Sequence, residues 1–230
     1  VLTMKHIRYF GVKMIIIADG TGYTENENAA YKFCEYMNEW FWKANPYIEN
    51  FENELNNTIK LINFKIGEIC NETNDYTKTS ASVIIVTPKN TYISSVGNTR
   101  VYIIKNGKIT KIKHKESLYD DIKEKGKIMP FTKEYAQSIP YDEIGYPINK
   151  MDNCNPETTT ILTPFIDGIL AISYGVYNNT TDEEIETILK NCSLEDTAEA
   201  ISSKAEFGII TTPKYKKLFT EKKVNGSNAV

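Results

Sequence analysis

The 230-residue chain is 41% hydrophobic and carries 27 basic against 30 acidic residues, a formal charge of −3. That near-balance gives no reason to expect nucleic acid or an anionic membrane surface as a partner, and no apolar run reaches the ~20 residues of a membrane span. Cys34, Cys70, Cys154 and Cys192 stand far apart without a Cys-x-x-Cys pair, and His6 and His114 are the only histidines, so reduced thiols in the cytoplasm are expected rather than a zinc site. No secretory signal pattern opens the chain. A chain of this size can bury one large core without dividing.

In chain order, the first 13 residues mix apolar and basic types and are expected to hold an early strand. Met14-Ile-Ile-Ile-Ala18 reads as a short buried strand. Asp19-Gly-Thr-Gly22 reads as the turn at its carboxyl end, which sets one carboxylate beside bare glycine backbone. Such an oxygen ligand suits a hard cation, although Asp-Gly is more often an ordinary turn opener. Glu25 and Glu27 fall where the dipole of a following helix favours acids. Ala30, Phe33, Met37, Trp40 and Phe41 recur at helical spacing until Asn45-Pro46 forces a break. A second helix is expected over residues 47–70, with Phe51, Leu55, Ile59, Ile62, Ile66 and Ile69 as its apolar stripe.

From Thr79 the period changes to two. Residues 82–86, 92–96, 101–104 and 109–112 are rich in β-branched types and read as an antiparallel meander, with Asn106-Gly107 as a strong hairpin signal. Residues 117–155 are polar and interrupted by Gly126, Pro130, Pro140, Gly145 and Pro147. A short helix over 118–125 and a functional loop or flap are expected there. Strands return at 158–162 and 169–173. Thr181-Asp-Glu-Glu184 is a capping box opening a helix that ends near Asn191. Ser193 caps another helix bearing Leu194, Ala198, Ile201 and Ala205. The basic stretch 214–223 is expected to be a surface helix or insert with solvated charges, with partner binding as its second reading. A final strand begins at Ser227.

Six separated stretches carry a resemblance. They are Asp19-Gly-Thr-Gly22 with Asn26-Glu-Asn-Ala29, Lys78-Thr-Ser80, Val96-Gly-Asn-Thr-Arg100 with the hairpin after it, Asp167-Gly-Ile-Leu-Ala-Ile-Ser-Tyr-Gly175, Asp182-Glu-Glu-Ile185, and Ser227-Asn-Ala-Val230. In order and spacing they resemble the metal-dependent serine/threonine protein phosphatases of the type 2C (PPM) class. The resemblance implies an α+β fold, a four-layer α-β-β-α sandwich of two antiparallel sheets flanked by paired helices. It also implies a single domain over residues 1–230, with a flap-like excursion at 117–155.

In that family carboxylates hold two Mn²⁺ or Mg²⁺ ions, and a metal-bound water attacks phosphorus in line. Carried over residue by residue, Asp19 matches the bridging catalytic and metal-binding carboxylate, and Gly20 the residue lending a backbone carbonyl. Tyr174 stands where the family has the aspartate of Ser-Asp-Gly, and Ser227 where it has that of the terminal Asp-Asn, with Asn228 retained. Asn98 replaces the aspartate of Gly-Asp-Ser-Arg, and no acidic residue precedes Asp19. Each departure removes negative charge, and a neutral Tyr174 is expected to fill the second metal's volume.

The expectation is therefore a catalytically impaired domain that binds a phosphoprotein or a protein kinase, with weak or no binding of Mn²⁺ or Mg²⁺. The alternative is an active Mn/Mg-dependent serine/threonine phosphatase with a rearranged site, with Asp142, Glu143, Asp152 or Asp167 as substitute ligands. Arg100 is a candidate phosphate contact or, more readily, half of a structural ion pair closing the hairpin.

Overall fold

A computed structural model describes residues 2–7, 11–21, 28–73, 77–145 and 154–211. Strand β1 (Leu2–Ile7) pairs antiparallel with β2 (Val12–Thr21), and β2 pairs antiparallel with β3 (Lys78–Val86). Strand β4 (Asn90–Val96) and, much later, β7 (Glu157–Leu162) complete a five-stranded sheet in the order β1-β2-β3-β4-β7. The second sheet is made of β5 (Arg100–Lys105), β6 (Lys108–Lys111) and β8 (Gly168–Ile172), in the order β6-β5-β8.

The side-chain alternation of these strands builds the layers. In β2, Val12, Met14, Ile16 and Ala18 share one face and are buried with α1 (Ala29–Phe41) and α2 (Phe51–Thr73), while Ile15 turns to the opposite face. In β3, Val83 and Ile85 face those helices, and Ile84 meets Val101 and Ile103 of the second sheet. In β5, Tyr102 points the other way and packs with Ile185 of α6 (Asp182–Asn191) and with Ile201 and Ala205 of α7 (Leu194–Thr211). Apolar residues on both faces of β2, β3 and β5 thus produce three buried layers between four structural ones. This is the α-β-β-α sandwich with two antiparallel sheets and flanking helices. No helix among the described residues is long and apolar enough to cross a membrane. The four cysteines are free thiols, three of them buried.

Several expectations are corrected. Asp19 does not open a turn, because β2 continues through Thr21 and Asp19 is still paired with Ser80. Helix α1 starts at Ala29 with no acid in its first turn, and the Asn28 side chain caps it by accepting from the Ala30 N–H at 2.9 Å. Glu25 and Glu27 lie outside the described residues. Helix α2 starts at Phe51 rather than 47, after a turn that takes Asn50 to φ 64°. In α7 the buried face runs through Thr197, Ile201 and Ala205, and Ala198 is exposed. The Thr197 hydroxyl donates to the Ser193 carbonyl at 2.7 Å, which lets a polar residue face inward. The excursion holds α3 (Leu118–Glu124) as expected, and also α4 (Lys133–Ser138), whose six residues are too few for a periodic signal. The stretches 214–223 and 227–230 lie outside the described residues.

The largest correction concerns the meander. Asn106 and Gly107 do form a tight hairpin, with φ of 52° and 69° as a type I′ turn requires. The chain, however, changes sheets at Gly97-Asn98, so β4 belongs to one sheet and β5 to the other. Gly97 adopts φ +79°, and a Cβ there would fall 2.2 Å from Ser80 Oγ and 2.9 Å from the Asp142 carbonyl oxygen. Its N–H donates to Asp142 Oδ1 at 3.1 Å, and the neighbouring Asn98 N–H donates to Ser80 Oγ at 3.1 Å. Asp142 Oδ2 accepts the Asn155 N–H at 2.8 Å, where the chain returns towards β7. The excursion is further tied down by reciprocal Thr79–Ile144 backbone bonds, both at 2.9 Å. The Gly145 N–H also reaches Asn63 Oδ1 at 2.8 Å.

This junction generates two predictions. Gly97→Ala combines a disfavoured φ with a backbone collision, and should cost about 2–4 kcal/mol in urea unfolding; a loss below about 0.5 kcal/mol would show that the crossover tolerates a side chain. Burial lifts the Asp142 carboxyl from 3.8 to about 6, against the pull of the two amides. Its folded pKa therefore lies above its unfolded one. Its contribution is fully present below pH 3.8 and is lost as pH rises through about 6. Relative to wild type, Asp142→Asn should gain about 2–3 kcal/mol between pH 4 and pH 7. Parallel stability curves for the two proteins would refute the assignment.

Candidate functional site

Strand β2 carries Asp19 to the end of the first sheet, directly opposite Ser80. Gly20 follows because nothing larger fits: a Cβ would lie 2.6 Å from Asn28 Oδ1 and 3.1 Å from the Lys78 carbonyl oxygen. From the second sheet, β8 ends at Ile172 and one helical turn follows, α5 (Tyr174–Tyr177). The Tyr174 main-chain N–H hydrogen-bonds the Asp19 carboxylate. The structure thus brings together Asp19, Gly20 and Tyr174 from opposite sheets. Asp19 keeps an exposed edge, but the protein around it displaces water and raises its pKa, and the Tyr174 N–H offsets part of that rise.

A stack of side chains continues from there. The rings of Tyr174 and Tyr177 meet edge to face with centroids 5.3 Å apart. The Arg100 guanidinium lies 3.6 Å from the Tyr177 ring centroid. Arg100 Nε reaches Glu116 Oε2 at 2.9 Å, and Lys111 Nζ reaches Glu116 Oε1 at 3.0 Å. Burial opposes the guanidinium charge, but the pairing with Glu116 outweighs it and the pKa of Arg100 rises. Burial, reinforced by Glu116, pushes the Tyr177 hydroxyl far above its ordinary value, so it stays neutral. Tyr102 is pushed up to about 12 by burial and by donating to Asp182 Oδ1 at 2.9 Å. Arg100, Lys111, Glu116, Tyr174 and Tyr177 line one wall of a cleft of about 890 Å³, and the α3–α4 lobe supplies the other through Asp120, Glu134, Tyr135 and Ser138.

The proposed substitute ligands are committed elsewhere. Both Asp142 oxygens accept main-chain amides, Glu143 pairs with Lys78 at 3.2 Å, and Asp167 accepts the Asn106 N–H at 2.6 Å. Asp152, Ser227 and Asn228 lie outside the described residues. Among the described residues no three His, Cys, Asp or Glu side chains gather where they could hold a metal ion. Two dications ~3.5–4 Å apart need several carboxylates against their mutual repulsion, so a two-metal centre does not fit the described residues.

Sequence reasoning missed Tyr177 and Glu116. Tyr177 is three residues after Tyr174, so one helical turn sets both rings on one side, a signal that was available. Glu116 meets Arg100 only because the hairpin folds back, and no local pattern announces it.

No family model matches the chain. The serine/threonine phosphatase Stp of Listeria welshimeri is 25% identical over 200 residues, covering 84% of this chain and 78% of that protein. The crystal structure of serine/threonine phosphatase Stp1 from Staphylococcus aureus superposes with a TM-score of 0.76 at 22% identity, covering 90% of this chain and 83% of Stp1. The catalytic domain of serine/threonine protein phosphatase PstP, in a complex with 2 manganese ions, superposes with a TM-score of 0.67 at 17% identity and covers 90% of each chain.

Proposed function

Because this chain is a PPM-type (type 2C) serine/threonine phosphatase-like domain, with the family's fold and sequence kinship to the Stp enzymes, we propose that it is catalytically impaired and works by binding a protein partner, a phosphoprotein or a protein kinase. One observation carries the reading. Tyr174 meets the Asp19 carboxylate through its main-chain N–H, and no three-donor cluster exists among the described residues. A neutral phenol offers no charge to offset a dication, and the Tyr174 N–H already draws on the Asp19 carboxylate. Asp19 with the Gly20 carbonyl would hold a hydrated Mg²⁺ or Mn²⁺ weakly, because such an ion keeps most of its waters. What remains is a shaped, polar cleft beside a blunted metal position, which suits recognition better than turnover.

In the same proposal residues 1–230 act as a single unit, residues 117–155 form its flap, and the free thiols fit a cytoplasmic setting. The test is hydrolysis of an aryl phosphate and of a phosphopeptide with Mn²⁺. Little or no metal-dependent turnover is expected. Tyr174→Asp with Ser227→Asp should restore Mn²⁺ affinity before it restores rate, since binding needs only the added charge whereas turnover also needs in-line geometry. Robust turnover by the unaltered chain, abolished by Asp19→Ala, would overturn the reading in favour of an active phosphatase.

A further inference from the structure

We propose that the open edge of β7 is a self-docking surface, on which β7 of a second copy of this chain pairs antiparallel about a two-fold axis at Thr160, joining two five-stranded sheets into one. Among the described residues β7 is an outer strand, paired with β4 alone. The Thr163 N–H donates to the Lys89 carbonyl at 2.9 Å, and on β4 the Asn90 carbonyl turns the other way, accepting the Thr87 N–H at 2.9 Å. Along an antiparallel ladder these directions alternate. With Ile161 opposite Thr91 and Thr159 opposite Ile93, the odd-numbered residues of β7 spend their main-chain groups on β4. Thr158, Thr160 and Leu162 therefore turn theirs to the open side.

Sheet edges are commonly guarded by lysine, proline or a bulge, because unpaired amides and carbonyls template another strand. Strand β6 carries Lys108 and Lys111, and β1 carries Lys5. Strand β8 is five residues long and opens on Gly168. The Glu-Thr-Thr-Thr-Ile-Leu of β7 has its one charge at the first position and no proline, and its register against β4 is unbroken from Glu157 to Leu162. The strand is also held in place from both faces. The Thr158 hydroxyl donates to Asn56 Oδ1 at 2.6 Å and the Thr160 hydroxyl to Glu52, both on α2, while Ile161 packs between the sheets. Such an edge is ordered before any guest arrives, which lowers the entropy that pairing must overcome.

The occupant that fits is β7 itself. Antiparallel about Thr160, Thr158 of one copy faces Leu162 of the other and Thr160 faces Thr160, so every outward group meets a complementary one. A slip of two residues sets Leu162 against Pro156 or Thr158 against Pro164, and proline has no N–H to give. The flanking prolines thus select the centred register. On one face Thr160 meets Thr160, and Thr158 meets the Leu162 side chain, which is 45% exposed in a single copy. On the other face Thr159 meets Ile161, and threonine and β-branched pairs of this kind are favourable. Glu157 falls opposite Thr163, so no like charges oppose along the strand. The charges that do approach are the two Glu52 carboxylates, one on each side of the axis. Their repulsion and the small contact area set a weak dimer, with a dissociation constant on the order of 0.1 mM.

The experiment is sedimentation equilibrium of the chain from about 0.01 to 1 mM, with amide hydrogen exchange followed by NMR at both ends of that range. A dimer should form at the high end and slow exchange at Thr158, Thr160 and Leu162. Thr159 and Ile161, already bonded to β4, should not respond. Leu162 has φ −71°, which proline adopts, so Leu162→Pro deletes an outward N–H without straining the backbone. It should leave the melting temperature nearly unchanged and weaken dimerisation tenfold or more. Glu52→Gln, an exposed change, keeps an acceptor for the Thr160 hydroxyl and removes the repulsion at the axis, and should tighten the dimer about threefold. A monomer throughout, or a dimer indifferent to both variants, would overturn the self-docking. So would protection of the three amides that does not vary with concentration, since the edge would then be covered from within one chain.

Discussion

Gly97 holds φ +79° with its α-carbon pressed against Ser80 and the Asp142 backbone, and the rest of the molecule follows from that contact. Only a residue without Cβ can pass there. The chain therefore leaves the first sheet after Val96 and enters the second at Arg100 within a few residues. Ser80 is the register partner of Asp19 as well as the acceptor for the Asn98 N–H. Asp142 uses the Gly97 N–H to fasten the excursion to the same corner. One steric constraint thereby sets Asp19 from one sheet, Arg100 from the other and the base of the α3–α4 lobe at one end of the sandwich.

The electrostatics of that end are set by burial and by shared ion pairs. Asp19 meets the Tyr174 main-chain N–H and lies near Tyr177, whose hydroxyl burial keeps neutral. Burial keeps Tyr177 and Tyr102 protonated, so the aromatic groups act as walls and hydrogen-bonding partners rather than as charges. Arg100 and Lys111 share the Glu116 carboxylate, and Asp120 and Glu134 line the same cleft.

The lobe is held differently from the core. Its two ends are fixed by main-chain bonds, with Leu118 N–H to the Ile139 carbonyl at 2.9 Å and Tyr141 N–H to the Glu116 carbonyl at 3.1 Å. The lobe exposes Ile128, Phe131 and the cleft-lining Tyr135, whereas the sandwich layers bury their apolar side chains.

The sequence by itself determined most of the elements. Met14 to Ala18 is apolar on both faces, which only a strand buried on both sides can satisfy. Asn106-Gly107 dictated its hairpin by backbone preference, and Thr181 with Glu184 closed the capping box at 3.2 Å and 3.0 Å. These are local effects, decided by residues within a turn of one another. The ordered motifs around Asp19, Arg100 and Tyr174 also made the sandwich fold legible. What the tertiary structure alone decided is long-range: the change of sheet at Gly97, the extension of β2 through Asp19 against Ser80, and the Tyr174 N–H on the Asp19 carboxylate. The sharing of Glu116 by Arg100 and Lys111 belongs with them, as does the commitment of Asp142 to two main-chain amides. Each joins residues far apart along the chain, and their energies depend on burial and register that no local pattern encodes.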